Sequence, residues 1–272
     1  MPLIKALILG IVQGLTEFLP VSSSAHLIIF PEILGWAEHS LSFDTTLHLG
    51  TLFALIVVFW KDILSIIKSL FLDIKKHKKS FNHYSSKSWL AFKIFIASIP
   101  VGLAGLFFGD FLENKFRGIW FVIIFLLVGT LIMYIAEKRF KKRLIVKDEI
   151  SVGKSFKVGI FQALALLPGI SRSGSTISGG MFFGLSRKEA ARFSFLLSIP
   201  AVLAAGVSQI ISSLDYLNMA EIAPMMVGFF SSFLVGIIAI NFMMKFVKNN
   251  KLYPFIFYRL GLAVFLIILF YI

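Results

Sequence analysis

The chain has 272 residues, of which 58% are hydrophobic and 15% charged, and its mean hydropathy is +0.89. Soluble domains carry about 25% charged residues, so this composition predicts an integral membrane protein. The formal charge of +13 does not predict a nucleic-acid partner, because Lys and Arg occupy short segments between apolar runs. The absence of Cys excludes a disulfide framework and thiolate chemistry.

The first element, residues 3–35, is apolar but interrupted by Gln13, Glu17 and Pro20. Its start also resembles a secretory signal peptide, an alternative that the polar interruptions argue against. A proline break in a short apolar segment instead predicts a helical hairpin that enters and leaves the membrane on one side.

Six further apolar runs are long enough to cross a bilayer core of about 30 Å. They cover residues 46–60 (extending as far as 72), 89–109, 119–136, 191–211, 222–244 and 254–272. The connections rich in Lys and Arg are 61–88, 137–157 and 245–251, whereas 36–44 and 212–221 contain neither residue. This bias predicts that the basic connections face the cytoplasm and the other two face the outer side of the membrane.

A second hairpin is predicted between the third and fourth spans. The apolar segment 157–167 covers about half of the bilayer core at about 1.5 Å per residue and ends at Pro168-Gly169. The chain then returns through a second short apolar segment to the basic stretch Ser186-Arg187-Lys188.

The two hairpins resemble each other, because a shift of 149 residues matches six positions, including Ser22 with Ser171. Their inferred orientations are opposite. We therefore expect a single all-α membrane domain over residues 1–272, built from two inverted repeats at about 1–148 and 149–272. Each repeat is a re-entrant helical hairpin plus three transmembrane helices.

The second break reads Ser171-Arg172-Ser173-Gly174-Ser175-Thr176. It supplies a guanidinium, several hydroxyls and, if a helix begins near Ser175, amide N–H groups at the positive end of the helix dipole. Arg binds phosphate oxygens through two parallel hydrogen bonds, so the pattern predicts a phosphate site. A serine-rich bend that only caps a buried helix stays open as an alternative.

The first break adds reactive groups. Gln13 and Glu17 share one helix face at i, i+4 spacing and could ligate Mg²⁺ or Ca²⁺ together with an anionic substrate. Ser22, Ser23 and His26 follow the proline break and place hydroxyl nucleophiles near a base and an imidazole. The alternative is that Glu17 and His26 merely pair in the protein interior.

Asp44 and His48 lie four residues apart where a span meets the predicted outer surface. They are interpreted as an ordinary interfacial pair. His77 and His83 lie in a Lys-rich connection and are expected to be solvated.

The motifs Gln13-x-x-x-Glu17-Phe-Leu-Pro-Val-Ser-Ser-Ser-x-His26 and Pro168-Gly-x-Ser-Arg172-Ser-Gly-x-Thr176 resemble the bacterial undecaprenyl-diphosphate phosphatase family, also called the bacitracin-resistance protein family. Length and span pattern extend this resemblance over essentially the whole chain. It implies dephosphorylation of undecaprenyl diphosphate to the carrier lipid used in cell-wall synthesis. It also implies a divalent cation, and a site in the bacterial cytoplasmic membrane that opens to the outer face, where bacitracin competes by sequestering the substrate.

Position by position, the resemblance places Glu17, Ser23, His26, Arg172 and Thr176 on the family's catalytic or pyrophosphate-binding positions. We expect Glu17, Ser23 and His26 to be the catalytic residues. The expected pyrophosphate-binding residues are Ser22, Ser171, Arg172, Ser173, Gly174, Ser175 and Thr176. Gln13 stands where family members carry Glu or Gln, so a metal site with two carboxylates is unavailable here. Metal binding would depend mainly on Glu17 and the substrate, with Gln13 as a second candidate ligand.

Two functions stay open at this point. One is a phosphatase, and the other is a polyprenyl-phosphate flippase that uses the same anion clamp, since inverted repeats with broken helices also serve transport. The Glu17-Ser23-His26 set favours the enzyme, because a flippase has little use for a carboxylate beside a nucleophile. Lipid chain length, metal identity and a homodimer also stay open.

Overall fold

A computed structural model describes residues 1–78, 80–141, 146, 148–213 and 219–271. Eleven α-helices and a short 3₁₀ helix at Phe81–His83 make up the regular structure of these residues. The α-helices are α1 Leu3–Phe18, α2 Ser23–Ile33, α3 Leu41–Val58, α4 Trp60–His77, α5 Ser86–Phe116, α6 Ile119–Lys141, α7 Val152–Leu164, α8 Arg172–Phe183, α9 Arg187–Ser213, α10 Met219–Asn249 and α11 Tyr253–Tyr271. The predicted connections 137–157 and 212–221 fall in part outside the described residues.

Six helices are long and apolar enough to span a membrane: α3, α5, α6, α9, α10 and α11. They coincide with the six predicted runs, which confirms an all-α, multi-pass membrane protein. The extension of the first run to residue 72 is wrong. α3 ends at Val58, and α4 begins as a separate amphipathic helix at Trp60, because Lys61, Asp62 and Lys68 are incompatible with a continuous apolar span.

The two breaks fall where the sequence predicts them. α1 and α2 have 16 and 11 residues, and α7 and α8 have 13 and 12, so each is about 24 Å long or shorter and cannot cross a bilayer core. Ser22 and Ser171 have φ values of 77° and 73°. Each serine caps the helix that follows, by accepting a hydrogen bond from the amide three residues on. The two breaks share this geometry; the opposed orientation of the halves stays a prediction.

Each hairpin packs against a long helix of the other half of the chain through small residues. A Cβ at Gly14 of α1 would lie 2.9 Å from the carbonyl oxygen of Ser232 in α10, and a Cβ at Gly159 of α7 would overlap the Ala97 carbonyl of α5. Close backbone approach of this kind holds membrane helices together in the absence of a hydrophobic driving force. It brings the two breaks to the same place in the molecule.

Polar contacts fix the ends of the helices. The buried Glu137 of α6 accepts hydrogen bonds from Arg187 Nε at 2.7 Å and from the Leu252 amide at 2.8 Å, which ties α6 to the starts of α9 and α11. Hydrogen bonds from Ser88 and Ser85 hold the pKa of Asp73 below its usual range and attach α4 to the start of α5.

Candidate active site

Glu17 is the centre of a buried polar cluster where the two hairpins meet. Its side chain is 5% exposed. Glu17 Oε1 accepts a 2.6 Å hydrogen bond from Arg172 Nη2. Glu17 Oε2 accepts hydrogen bonds from Gln13 Nε2 at 3.0 Å and from Ser23 Oγ at 2.5 Å. One carboxylate therefore joins α1, the first residue of α2 and the first residue of α8.

Local sequence features determine where the four side chains of this cluster lie on their helices. Gln13 and Glu17 share a face of α1 because they are one helical turn apart. Ser23 and Arg172 each directly follow a positive-φ serine, so both stand at the first position of a helix that points away from the break. Two further contacts hold the breaks together: Ser173 Oγ donates to the Leu19 carbonyl at 3.1 Å, and the Gly169 amide donates to Ser24 Oγ at 3.4 Å.

Two buried side-chain atoms of the cluster have no hydrogen-bond partner among the described residues: Arg172 Nη1 and Gln13 Oε1. An unpaired buried guanidinium nitrogen costs free energy unless a ligand accepts from it, and a phosphate oxygen is a suitable acceptor. The amide oxygen suits a cation in the same way. Both atoms therefore point to a ligand that completes the cluster.

A cation at this site would need the amide oxygen of Gln13. In the described part of the chain, no group of three or more His, Cys, Asp and Glu side chains is placed to hold a metal ion. One carboxylate and one unpartnered amide oxygen nevertheless fit a divalent cation that takes its remaining ligands from a substrate or from water.

The hydroxyls of the second break are largely used within the fold. Ser171 Oγ accepts from the Gly174 amide at 3.1 Å, and Ser175 Oγ donates at 2.6 Å to a carbonyl of α7. Thr176 Oγ1 donates to the Arg172 carbonyl at 2.7 Å. The capping alternative is thus confirmed for Ser171, while Arg172 reaches out of the break to Glu17. The pyrophosphate-binding roles of this set stay predictions.

His26 has both ring nitrogens engaged away from Glu17. Nδ1 lies 2.7 Å from the Ser22 carbonyl oxygen, and Nε2 lies 2.6 Å from the Tyr258 hydroxyl. Because a carbonyl only accepts, Nδ1 carries a proton. In the neutral form of the ring, Nε2 then accepts from the Tyr258 hydroxyl. The alternative in which Glu17 and His26 pair in the interior is wrong, since Glu17 pairs with Arg172 instead. The predicted catalytic role of His26 stays a prediction.

Arg259 is a residue that the sequence reasoning missed. It is fully buried in α11. Its Nη2 donates to the Gly169 carbonyl and its Nε to Thr130 Oγ1, both at 2.8 Å, and its Nη1 lies 3.5 Å from the Pro20 carbonyl. Arg259 therefore binds both breaks to α6. The available signal was a lone Arg inside an apolar span, since intramembrane ionisable residues mark functional sites by default.

His48 is also part of the cluster, and its predicted pairing with Asp44 is wrong. His48 Nδ1 lies 2.9 Å from Gln13 Nε2 and 3.5 Å from Glu17 Oε2. Asp44, one turn earlier in α3, pairs with His39 at 2.5 Å and with Arg117 at 3.2 Å. His39 lies in the connection before α3, and Arg117 lies in the connection between α5 and α6. His48, one turn after Asp44, faces α1 instead.

Comparison with known proteins gives matches along nearly the whole chain. The family described as "Bacitracin resistance protein BacA" matches residues 6–265. A protein of Methanosphaera stadtmanae named undecaprenyl-diphosphatase is 43% identical, with 98% of each chain covered. A protein of the same name from Caldicellulosiruptor bescii is 44% identical, and the match covers 95% of this chain and 94% of the relative. One from Thermodesulfovibrio yellowstonii is 41% identical, and the match covers 99% of this chain and 98% of the relative.

Proposed function

The chain belongs to the bacitracin resistance protein BacA family, and we propose that it hydrolyses undecaprenyl diphosphate to undecaprenyl phosphate and inorganic phosphate. The relatives that it resembles over nearly their whole length are named for this reaction. The observation that carries the proposal is the contact of the Ser23 hydroxyl with the Glu17 carboxylate, at 2.5 Å, beside the Arg172 guanidinium. Phosphoryl transfer needs a base, a nucleophile and a positive group that binds the phosphate, which are Glu17, Ser23 and the Arg172 guanidinium here.

Glu17 acts as the general base. Its Oε2 accepts the hydrogen bond of the Ser23 hydroxyl, so it can take that proton as Ser23 Oγ attacks the terminal phosphorus. The new bond joins Oγ to phosphorus, and the bond from phosphorus to the bridging oxygen breaks in line with it. Undecaprenyl phosphate then leaves. Water hydrolyses the phosphoserine, which releases inorganic phosphate and restores the Ser23 hydroxyl.

Arg172 binds the diphosphate and holds the base. Its Nη2 stays on Glu17 Oε1, and its unpartnered Nη1 donates to a phosphate oxygen. The positive end of the α8 dipole lies at the same residue and favours the anion further. Glu17 and Gln13 would hold a divalent cation, which would neutralise charge on the diphosphate.

The cellular setting follows from the same proposal. The protein acts in the cytoplasmic membrane, with the site open to the outer face, and recycles the carrier lipid for cell-wall synthesis. The charge bias of the connections supports this orientation. Bacitracin would compete by sequestering the diphosphate substrate, so a higher level of the protein gives resistance.

The test is phosphate release from undecaprenyl diphosphate by the purified protein in detergent, with and without a chelator. We expect release by the wild type and a loss of about 1,000-fold or more in Ser23→Ala. Ser65→Ala is the matched control, because within the described part of the chain Ser65 Oγ donates to the Asp62 carbonyl of its own helix and to no other group. A flippase needs no hydrolysis. If the folded protein releases no phosphate but moves polyprenyl phosphate across vesicle membranes, the result would therefore favour transport.

A further inference from the structure

The position of His48 leads to an inference about the metal that this site takes. His48 Nδ1 and Glu17 Oε2 each present a lone pair, and they lie 3.5 Å apart. Gln13 Nε2 lies between them, at 2.9 Å from Nδ1 and 3.0 Å from Oε2. The amide NH₂ group thus bridges two acceptors that would otherwise face each other.

The three atoms have the separations of ligands that share one metal ion. Two ligands at about 2.1 Å from an ion, at an angle of about 90° to 110°, lie about 3.0 to 3.4 Å apart. The observed edges of the triangle are 2.9, 3.0 and 3.5 Å. The triangle therefore corresponds to one face of a coordination polyhedron.

The amide of Gln13 can supply an oxygen at that corner. A half-turn about the last side-chain bond exchanges Nε2 and Oε1, whose electron densities and shapes are almost the same. Oε1 is buried without a partner in the described residues, so the exchange breaks no hydrogen bond of the oxygen. It does break the two hydrogen bonds of Nε2 to Glu17 and His48, and bonds from all three side chains to the ion would replace them. The exchange turns the amide from a donor that bridges two acceptors into a third ligand.

We propose that His48 Nδ1 is the third protein ligand of the divalent-cation site, with Glu17 Oε2 and Gln13 Oε1, and that the site prefers a transition-metal ion such as Mn²⁺ or Co²⁺ to Ca²⁺. First-row transition-metal ions bind a site of mixed nitrogen and oxygen ligands with an affinity that rises from Mn²⁺ to Co²⁺, whereas Ca²⁺ takes oxygen ligands. The His48 side chain is 33% exposed, which gives an ion access to the otherwise buried cluster. The inference rests on the proposed function only in expecting a divalent cation beside Glu17.

The ion and the other contacts of Glu17 are compatible. Arg172 occupies Oε1, so it does not compete for Oε2. Ser23 uses one lone pair of Oε2, which leaves the other for the ion. The His48 ligand thus takes the place of the second carboxylate that Gln13 cannot provide.

The experiment uses the full-length protein in detergent, stripped of metal and loaded with Mn²⁺ alone or with Mn²⁺ and methylenebisphosphonate as a diphosphate mimic. Pulsed electron paramagnetic resonance detects the ¹⁴N coupling of a directly bound imidazole. We expect this coupling in the wild type and its loss in His48→Gln. We also expect Mn²⁺ affinity to fall about tenfold or more in that variant while Ca²⁺ affinity changes by less than about threefold.

His39→Gln is the matched control. His39 lies in the connection before α3 and binds Asp44 in the first turn of that helix, so its loss should leave the coupling intact. No ¹⁴N coupling in the wild type under either condition would overturn the assignment, as would a coupling that survives in His48→Gln. Phosphate release is measured on the same samples. Normal hydrolysis without ¹⁴N coupling would refute only the His48 ligand, whereas a coupling without any hydrolysis would refute only the proposed function.

Discussion

Replacing Arg172 by Lys tests the anion clamp without removing its charge. The guanidinium has two ends: Nη2 is 2.6 Å from Glu17 Oε1, and Nη1 is buried without a partner among the described residues. A lysine has one nitrogen on a flexible stem, so it can reach either the carboxylate or the phosphate in good geometry, but not both. The variant should lose one hydrogen bond between charged groups.

Such a hydrogen bond contributes about 1.5 to 3 kcal/mol, which corresponds to a fall in kcat/KM of about 10- to 150-fold. The assay is initial-rate phosphate release from undecaprenyl diphosphate, with protein folding checked by thermal melting in detergent. Arg192→Lys is the control, because Arg192 forms a comparable 2.7 Å contact with Asp62 that is remote from the cluster. An Arg172→Lys enzyme within about threefold of wild type would refute the two-ended clamp.

Three other predictions concern the base, the scaffold and the orientation. Glu17→Gln and Ser23→Ala should each lower kcat by about 1,000-fold or more, and the double variant should be no slower than the slower single one; multiplied losses would place the two residues in separate steps. Arg259→Lys should lose at least two hydrogen bonds to carbonyls, about 3 kcal/mol or more, and should melt several degrees lower in detergent; an unchanged melting temperature would contradict this role. In this chain without cysteines, Ser40→Cys should react with an impermeant maleimide from outside the cell and Asn250→Cys should not; labelling of Asn250→Cys from outside would overturn the topology.

The spans and breaks were predictable because the bilayer imposes length and composition on each segment. An apolar run of about 20 residues must be a spanning helix, and a shorter run with a proline or glycine break cannot be one. Glu17, Ser23 and Arg172 were predictable for a related reason, since polar groups at membrane depth are costly and seldom lack a function. Their direct contact, however, depends on the packing of α1 against α10 and of α7 against α5.

The roles of His48 and Arg259 could not be read from local patterns. The i, i+4 spacing of His48 with Asp44 is real, but partners in two connections bind the aspartate, and the histidine faces α1 instead. Arg259 binds backbone carbonyls that lie 89 to 239 residues away in sequence. Carbonyl oxygens belong to every residue, so no sequence pattern marks which of them a guanidinium will bind.

The contacts of Glu17 before substrate binding determine how a diphosphate can enter. Both carboxylate oxygens of Glu17 already accept hydrogen bonds, from Ser23 and from Arg172. A phosphate that displaced the carboxylate from Arg172 would exchange one such hydrogen bond for another, with no net gain in binding energy. Displacement is not needed, because Arg172 keeps one buried nitrogen free of the described contacts, and a phosphate can bind there while the ion pair stays closed. The guanidinium then holds the base at one end and the electrophile at the other, within a single rigid plane. A buried ion pair of this kind adds little to stability, since apolar residues of similar volume could replace it. The ion pair instead positions the base and the substrate. Substitutions at Arg172 are therefore expected to raise the activation free energy of hydrolysis by more than they lower the free energy of unfolding.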